Sequence, residues 1–324
     1  MRILIPDDYA LACQGLDCLR KLQDHQLTIL DDLSRDPSAD AMLAEAECLL
    51  LIRERTQVDA EFLRRTPHLK VISQTGKLAR NIDLDACAAA GVAVVDSIGS
   101  PHAPAELAWL LMMAARRQFV SNVNALYQGQ WQGPMGRIMR GQTLGILGFG
   151  KIGKLVAGYA HAFGMRVMVW GSERARTEAQ ACGYEAAPSR QAFFASADIL
   201  SLHLRLVEGT ERSVTATDLA RMKPDALLVN ISRAELIEQG ALEAALRAGH
   251  PGFAALDVFE AEPIYAVDHP LLQMPNVLCT PHMGYVERDS YELYLSSAID
   301  KLLQVLAGDG SQVLNGVCPE APRQ

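Results

Sequence analysis

The chain has 324 residues, 49% of them hydrophobic, which is enough to bury more than one core, so two domains are expected. Its formal charge of −8, with 30 Lys and Arg scattered along the chain, offers no basic track for a phosphate backbone, and nucleic acid is excluded as an expected partner. No apolar run approaches the length of a membrane span, and Met1-Arg2-Ile3-Leu4-Ile5-Pro6-Asp7-Asp8 reads as a strand entering an acidic loop, not as a cleavable leader; no membrane partner and a cytoplasmic location are expected.

In chain order, short β-like runs at 3–5, 28–30, 48–52, 69–73 and 92–95 alternate with helical spacing at 11–22, 37–44, 59–64 and 84–90. That rhythm predicts a small α/β domain with a mainly parallel sheet. Pro101 and Pro104 punctuate the chain before an apolar helix over 105–115, in which Trp109 and Met112-Met113 read as core and the helix as buried on most sides. A second α/β series starts with strands at 143–147, 166–170, 199–202, 226–230, 254–258 and 277–279. Its helices are expected at 151–163, 191–195, 216–221 and 235–248, and a last helix runs over 290–306. The seven cysteines, at 13, 18, 48, 87, 182, 279 and 318, include no CxxC pair and sit mostly among apolar neighbours, as buried thiols in a reducing compartment do.

Gly148-Phe149-Gly150-Lys151-Ile152-Gly153 lies directly between the strand at 143–147 and the helix that follows. That is the order a dinucleotide site needs. Gly148 allows the tight turn, Gly150 lets backbone approach a pyrophosphate, Gly153 packs helix on strand, and the free N–H groups of the first helical turn hold the anion. An ordinary strand-to-helix turn has the same glycines without the ligand.

Polar side chains follow the strands of the second series: Arg233, Glu262 and His282. An arginine fork suits a carboxylate and a neighbouring carbonyl, a histidine transfers protons near neutral pH, and a carboxylate beside it favours its protonated form. Taken singly they also read as a cap residue, an acidic residue before Pro263 and a loop histidine like His269.

The ordered set Gly148-x-Gly150-x-x-Gly153, Met222-Lys223-Pro224 leading to Asn230-Ile231-Ser232-Arg233, Ala255-Leu256-Asp257-Val258-Phe259-Glu260-Ala261-Glu262-Pro263 and Pro275 to Pro281-His282 resembles the D-isomer-specific 2-hydroxyacid dehydrogenases, across essentially the whole chain. Its layout is most similar to the phosphoglycerate, glycerate and hydroxypyruvate branch. The resemblance implies a doubly wound parallel-sheet (Rossmann) cofactor domain at 101–284. It also implies a smaller flavodoxin-like α/β substrate domain at 1–100 plus 285–324, a cleft between them that closes on substrate, and a homodimer. It further implies hydride exchange between a nicotinamide and C2 of a D-2-hydroxy or 2-oxo acid. Arg233 would bind substrate, His282 would exchange the proton, and Glu262 would hold the ring and raise its pKa. Cofactor contacts would come from Gly148, Gly150, Lys151, Ile152, Gly153, Asn230, Ser232 and Asp257, and substrate contacts from Gly76, Lys77, Leu78 and Arg233. No metal is expected.

The chain departs from that pattern twice. The substrate loop reads Gly76-Lys77-Leu78-Ala79-Arg80-Asn81-Ile82-Asp83, with Leu78 in place of a glycine and Arg80 in place of an acid. The N–H groups of Lys77 and Leu78 are still expected to meet a carboxylate, with Lys77 and Arg80 either adding positive charge or facing solvent. After Val167-Met168-Val169-Trp170 comes Gly171 where an NAD site usually has an acid. Ser172 and Arg174 could receive a 2′-phosphate, while Glu173 could serve the ribose of NAD; NAD is the expected cofactor, with NADP also open. A non-catalytic dinucleotide sensor or corepressor-like protein is the alternative function.

Overall fold

A computed structural model describes residues 1–317, so Cys318, one of the expected buried thiols, lies outside the described residues. The chain forms two compact units: Met1–Ser100 with the chain from Glu287 onward, and Pro101–Val286.

In the first unit, strands β1 (Arg2–Ile5), β2 (Gln26–Ile29), β3 (Cys48–Leu51), β4 (Val71–Gln74) and β5 (Ala93–Asp96) form one parallel sheet in the order β2-β1-β3-β4-β5. Every residue of β3, β4 and β5 is buried, as expected where both faces of a parallel sheet are covered. The helix Arg288–Leu306 lays Tyr291, Tyr294, Leu295, Ala298 and Leu302 into the core at helical spacing, and its Ala298 carbonyl accepts a 2.8 Å bond from the Ser73 hydroxyl. The helix expected at 11–22 does not form: only 3₁₀ turns occur, at Tyr9–Leu11 and Asp17–Leu22. Ala10, Leu11 and Gly15 adopt left-handed φ of 60°, 53° and 79°. The Asp8 carboxylate captures the Cys13 N–H at 2.8 Å, an alternative to helical pairing that the spacing of leucines did not reveal.

In the second unit, β6 (Thr143–Leu147), β7 (Arg166–Trp170), β8 (Glu185–Ala186), β9 (Ile199–Leu202), β10 (Leu227–Asn230), β11 (Phe253–Leu256) and β12 (Val277–Cys279) form a parallel sheet in the order β12-β11-β10-β9-β6-β7-β8. This is a Rossmann-like arrangement. The strand order reverses between β6 and β9, and in such sheets ligands gather beyond the strand ends at that reversal. One face is covered by the helices His102–Arg116 and Lys151–Ala162, which pack Leu107, Leu111, Met112 and Val156 against Leu144 and Ile146. The opposite face buries Phe193, Phe194, Leu200 and Leu228.

Trp109 packs against the core from a half-buried position, whereas Leu110 is 59% exposed, so this helix buries one stripe and not most of its sides. The helix expected over 235–248 is divided by Gly240 at φ 71°, leaving a 3₁₀ turn Ala234–Leu236 and an α-helix Ala241–Ala248. Helices Phe119–Tyr127 and Glu173–Ala181 were not anticipated. Among the described residues, Cys13, Cys18, Cys48 and Cys87 are buried, Cys279 is half-buried and Cys182, against expectation, is exposed. No described helix is long and apolar enough to cross a membrane.

Candidate active site

The glycine-rich turn stands at the carboxyl end of β6. Gly148 has φ 92° and donates its N–H to the Trp170 carbonyl at 2.9 Å; a Cβ here would lie 2.8 Å from the His203 carbonyl oxygen. A Cβ on Gly153 would lie 2.5 Å from the Gly148 carbonyl oxygen. Those two glycines are demanded by packing. Gly150 is different: it is the N-cap of the helix Lys151–Ala162, and a Cβ there would meet nothing within 4 Å. Open space therefore lies over Gly150 at the start of this helix, whose first turn holds no acidic residue. A pyrophosphate fits such a turn.

The wall behind Gly148 is the end of β9. His203 shares a 2.9 Å hydrogen bond between its Nε2 and the Ser201 hydroxyl, and its buried Nδ1 has no partner among the described residues. Burial without a compensating charge pushes this ring down to about 4, so it is neutral at physiological pH.

Gly171 follows β7 and lies beside the glycine turn, 3.7 Å separating its added Cβ from the Gly148 Cα. Ser172 is the N-cap of the helix Glu173–Ala181, its Oγ accepting from the Ala175 N–H at 3.3 Å. The hydroxyl oxygen is thus partly committed to its own helix. Arg174 is exposed in the first helical turn, while Arg176 lies over the Trp170 ring at 4.7 Å.

At the end of β10 the side chain of Asn230 folds the next turn. Its Oδ1 accepts from Ser232 N–H at 3.0 Å and its Nδ2 donates to the Arg233 carbonyl at 2.7 Å, while the Ser232 hydroxyl donates to the Leu202 carbonyl at 2.8 Å. Asn230 and Ser232, expected as cofactor contacts, here build the platform for Arg233. Arg233 is half-buried and its Nη1 donates to the Ser232 carbonyl at 2.6 Å.

The strongest pairing lies beyond β11 and β12. His282 Nδ1 and Glu262 Oε2 are 2.5 Å apart, and Glu262 Oε1 accepts from the Phe259 N–H at 2.8 Å. His282 has a left-handed φ of 49°, and the backbone after it is pinned by Asp257. Asp257 Oδ1 accepts from the Thr280 hydroxyl at 2.6 Å and from Met283 N–H at 2.8 Å, and Oδ2 accepts from Gly284 N–H at 2.9 Å. Wholly buried, Asp257 has its carboxyl pushed up by desolvation, against the lowering pull of Thr280 and the amides. Asp257, one of the expected cofactor contacts, shapes the histidine loop through these bonds. Tyr285 meets the His282 ring edge-on, centroids 5.6 Å apart. Fixing Nδ1 leaves Nε2 as the nitrogen available to a substrate oxygen.

In the first unit the loop after β4 departs from expectation. Gly76 N–H donates to the Ser97 hydroxyl at 2.8 Å, and Leu78 N–H donates to Asp96 Oδ2 at 3.0 Å, so the Leu78 amide is already engaged by a carboxylate of the protein itself. The replacement of glycine by Leu78 did not reveal that Asp96, at the end of the adjacent strand, would claim this amide. Lys77 Nζ pairs with Asp96 Oδ1 at 2.9 Å, and Arg80 is exposed. Arg53 was missed. Its guanidinium covers Gly76 so closely that a Cβ would fall 1.7 Å from Nη1, and its φ is 53°. Its signal was present in the sequence as Arg53-Glu54-Arg55 directly after the apolar run 48–52. Among the described residues no cluster of His, Cys, Asp or Glu could hold a metal.

A family model described as "D-isomer specific 2-hydroxyacid dehydrogenase, NAD binding domain" matches residues 109–284. The chain is 34% identical to an (S)-sulfolactate dehydrogenase of Chromohalobacter salexigens, over 93% of this chain and 96% of that protein. It is 35% identical to a D-3-phosphoglycerate dehydrogenase of Mycobacterium leprae over 86% of this chain and 51% of that protein, and so spans about half the length of such relatives. A solved phosphoglycerate oxidoreductase of Vibrio cholerae is 47% identical, with a TM-score of 0.90 over 94% of this chain and 98% of that one.

Proposed function

The chain belongs to the D-isomer specific 2-hydroxyacid dehydrogenase family and carries its NAD binding domain, and from that premise we propose an NAD(P)-dependent oxidoreductase acting on a D-2-hydroxy acid or the matching 2-oxo acid. The observation that carries this reading is the 2.5 Å pairing of His282 with Glu262, beyond the strand ends of a dinucleotide-type sheet. A protein that only sensed the cofactor would need no imidazole held by a carboxylate.

When bound, a nicotinamide would supply the hydride that reduces the substrate's carbonyl carbon. Arg233 orients the substrate carboxylate and polarises the carbonyl. His282, held at Nδ1 by Glu262, gives its Nε2 proton to the carbonyl oxygen on reduction and takes it back on oxidation. The open face of Gly150 and the first-turn amides receive the pyrophosphate.

The first unit, whose β2-β1-β3-β4-β5 order is that of flavodoxin-like sheets, is the substrate domain in this reading. Arg53 and Lys77 flank its Gly76 loop, each paired with an acid, Glu54 at 3.5 Å and Asp96 at 2.9 Å, so a second anionic group on the substrate would gain from them only by displacing those carboxylates. Leu110, Phe119, Tyr127, Trp131 and Met135 of the second unit expose apolar side chains, from 59% to 96%, and support a homodimer through that surface.

The test is oxidation of NADH and NADPH with glyoxylate, hydroxypyruvate, 3-phosphohydroxypyruvate and 3-sulfopyruvate. His282→Ala should lower turnover by roughly 10²-fold or more while leaving NADH affinity unchanged. Cofactor binding with no reduction of any 2-oxo acid, identical in His282→Ala, would establish the sensor instead.

A further inference from the structure

Glu262 rides on an exposed stretch of chain between β11 and β12, yet its carboxylate must stay within hydrogen-bond reach of His282. The backbone bond from Phe259 N–H to Glu262 Oε1, at 2.8 Å, is one constraint, and it holds only while Phe259 itself is held. The Phe259 and His269 rings meet in a T-shaped arrangement, with centroids 5.7 Å apart and planes at 76°, a favourable aromatic geometry. His269 is in turn fixed at the other end of the loop: it is the N-cap of the 3₁₀ turn Pro270–Gln273, its Nδ1 accepting from Leu271 N–H at 3.3 Å. Two residues ten positions apart in sequence thus close the loop that carries Glu262.

The surroundings make that closure necessary. Phe259 and His269 both line a cavity that opens to solvent, about 690 Å³ of empty space bounded also by Leu242, Leu256 and Leu271. Both rings border this space, so without its partner the Phe259 ring loses a support on that side and the loop backbone is freer to shift, carrying the Phe259 N–H away from Glu262.

We propose that the Phe259–His269 ring pair is a clamp, and that both are positioning residues which hold the Glu262 carboxylate on His282. The contribution of His269 is its ring, beyond the cap it provides to Leu271. This rests on the proposed roles of Glu262 and His282, and the test separates the two ideas.

His269→Asn keeps a capping acceptor and removes the ring, whereas His269→Phe keeps a ring and removes the cap. One readout needs no turnover: the downfield proton resonance of the His282 Nδ1–H shared with Glu262, assigned by its loss in Glu262→Gln. The expected result is that His269→Asn broadens or loses this resonance and lowers kcat by about tenfold with the KM for NADH unchanged, while His269→Phe retains the resonance and most of the rate. Phe259→Ala should behave like His269→Asn. NADH binding, followed by fluorescence, shows that each variant is folded. An unaltered resonance in His269→Asn, or its equal loss in His269→Phe, overturns the clamp. Absence of any dehydrogenase activity in the unaltered protein would instead overturn the catalytic reading, leaving the resonance to decide the clamp.

Discussion

Two loops of this chain look alike in sequence and differ in what they can bind. Each follows a parallel strand and starts with a glycine in the left-handed region, Gly148 at φ 92° in the second unit and Gly76 at φ 74° in the first. After Gly148 the chain enters a helix of 12 residues, with open space over its N-cap Gly150. After Gly76 no helix begins; the amides of Gly76 and Leu78 are taken by Ser97 and Asp96, and the glycine's open face is covered by Arg53. In the proposed reading the first loop is an anion cradle made of backbone, whereas the second has its amides and its cationic side chains engaged within the protein. A glycine at a strand end therefore says only that the chain turns; the fate of its neighbours' amides decides what the turn is for.

Paired substitutions sharpen this contrast. Gly150→Val should fold, because nothing lies within 4 Å of the added Cβ, yet fill the space over the N-cap. We expect NADH affinity, measured by fluorescence titration, to fall by about 10²-fold or more with little loss of thermal stability. Gly76→Ala should instead push Arg53 aside, since the new Cβ would fall 1.7 Å from its Nη1. NADH affinity should then stay unchanged while the KM for the 2-oxo acid rises by about tenfold. If Gly76→Ala weakened NADH as much as Gly150→Val, the division of labour between the two loops would be wrong.

The loops also lean on different supports. Gly148 packs on the carbonyl of His203, a neutral buried ring, whereas Leu78 hangs on the Asp96 carboxylate. His203 has its pKa depressed from 6.5 to about 4 on folding, so the unfolded chain binds a proton that the folded chain refuses. Stability from this group is complete above pH 6.5 and is lost as pH falls towards 4. Between pH 7 and pH 5 the loss should be about 2 kcal/mol, roughly 30-fold in the folding equilibrium. Buried Asp257, with its raised pKa, works in the opposite direction, so the contribution must be read as a difference. Urea unfolding of the native protein and His203→Asn at both pH values measures it. Equal pH dependence in the two proteins would show that the ring is hydrated and not sealed.

Much of this architecture was legible in the sequence because its signals are local. Strands β6, β7, β9 and β12 have the bounds that their apolar runs suggest, and the turn Gly148 to Gly153 falls between strand and helix. Two of the failures were decided by carboxylates that capture backbone amides. No periodicity in 11–22 reveals that Asp8 will take the Cys13 amide, and no motif reveals that Asp96 will take the Leu78 amide 18 residues away. The helix Glu173–Ala181 escaped notice because it is mostly polar, with only Ala179 buried, so it lacks the apolar stripe by which surface helices are found. At the candidate site, residue types pointed to Arg233, Glu262 and His282, while the work of Asn230 and Asp257 in shaping their turns became visible only in the hydrogen bonds.

That overlooked helix bears on the smallest expected effect, the choice between NADH and NADPH. Gly171 places no carboxylate beside the glycine turn, so nothing there repels a 2′-phosphate, and Arg174 stands in the first turn of the helix capped by Ser172. Arg174 is exposed, however, and solvent screens an exposed charge strongly, while Ser172 already accepts from Ala175. The preference should therefore be modest in either direction, far below the ~10⁴-fold discrimination that a buried polar pair can enforce. Arg174→Ala should lower kcat/KM for NADPH by about fivefold and leave NADH unaffected. Gly171→Asp should shift the ratio towards NADH, since its carboxylate can accept from ribose hydroxyls and repel a phosphate; its Cβ, 3.3 Å from that of Ala175, requires only a small adjustment. The measurement is the ratio of kcat/KM for the two cofactors in each variant. Should Arg174→Ala leave that ratio unchanged, Arg174 is a solvated surface residue, and the cofactor preference is set by Glu173 or by the backbone amides at the start of the helix.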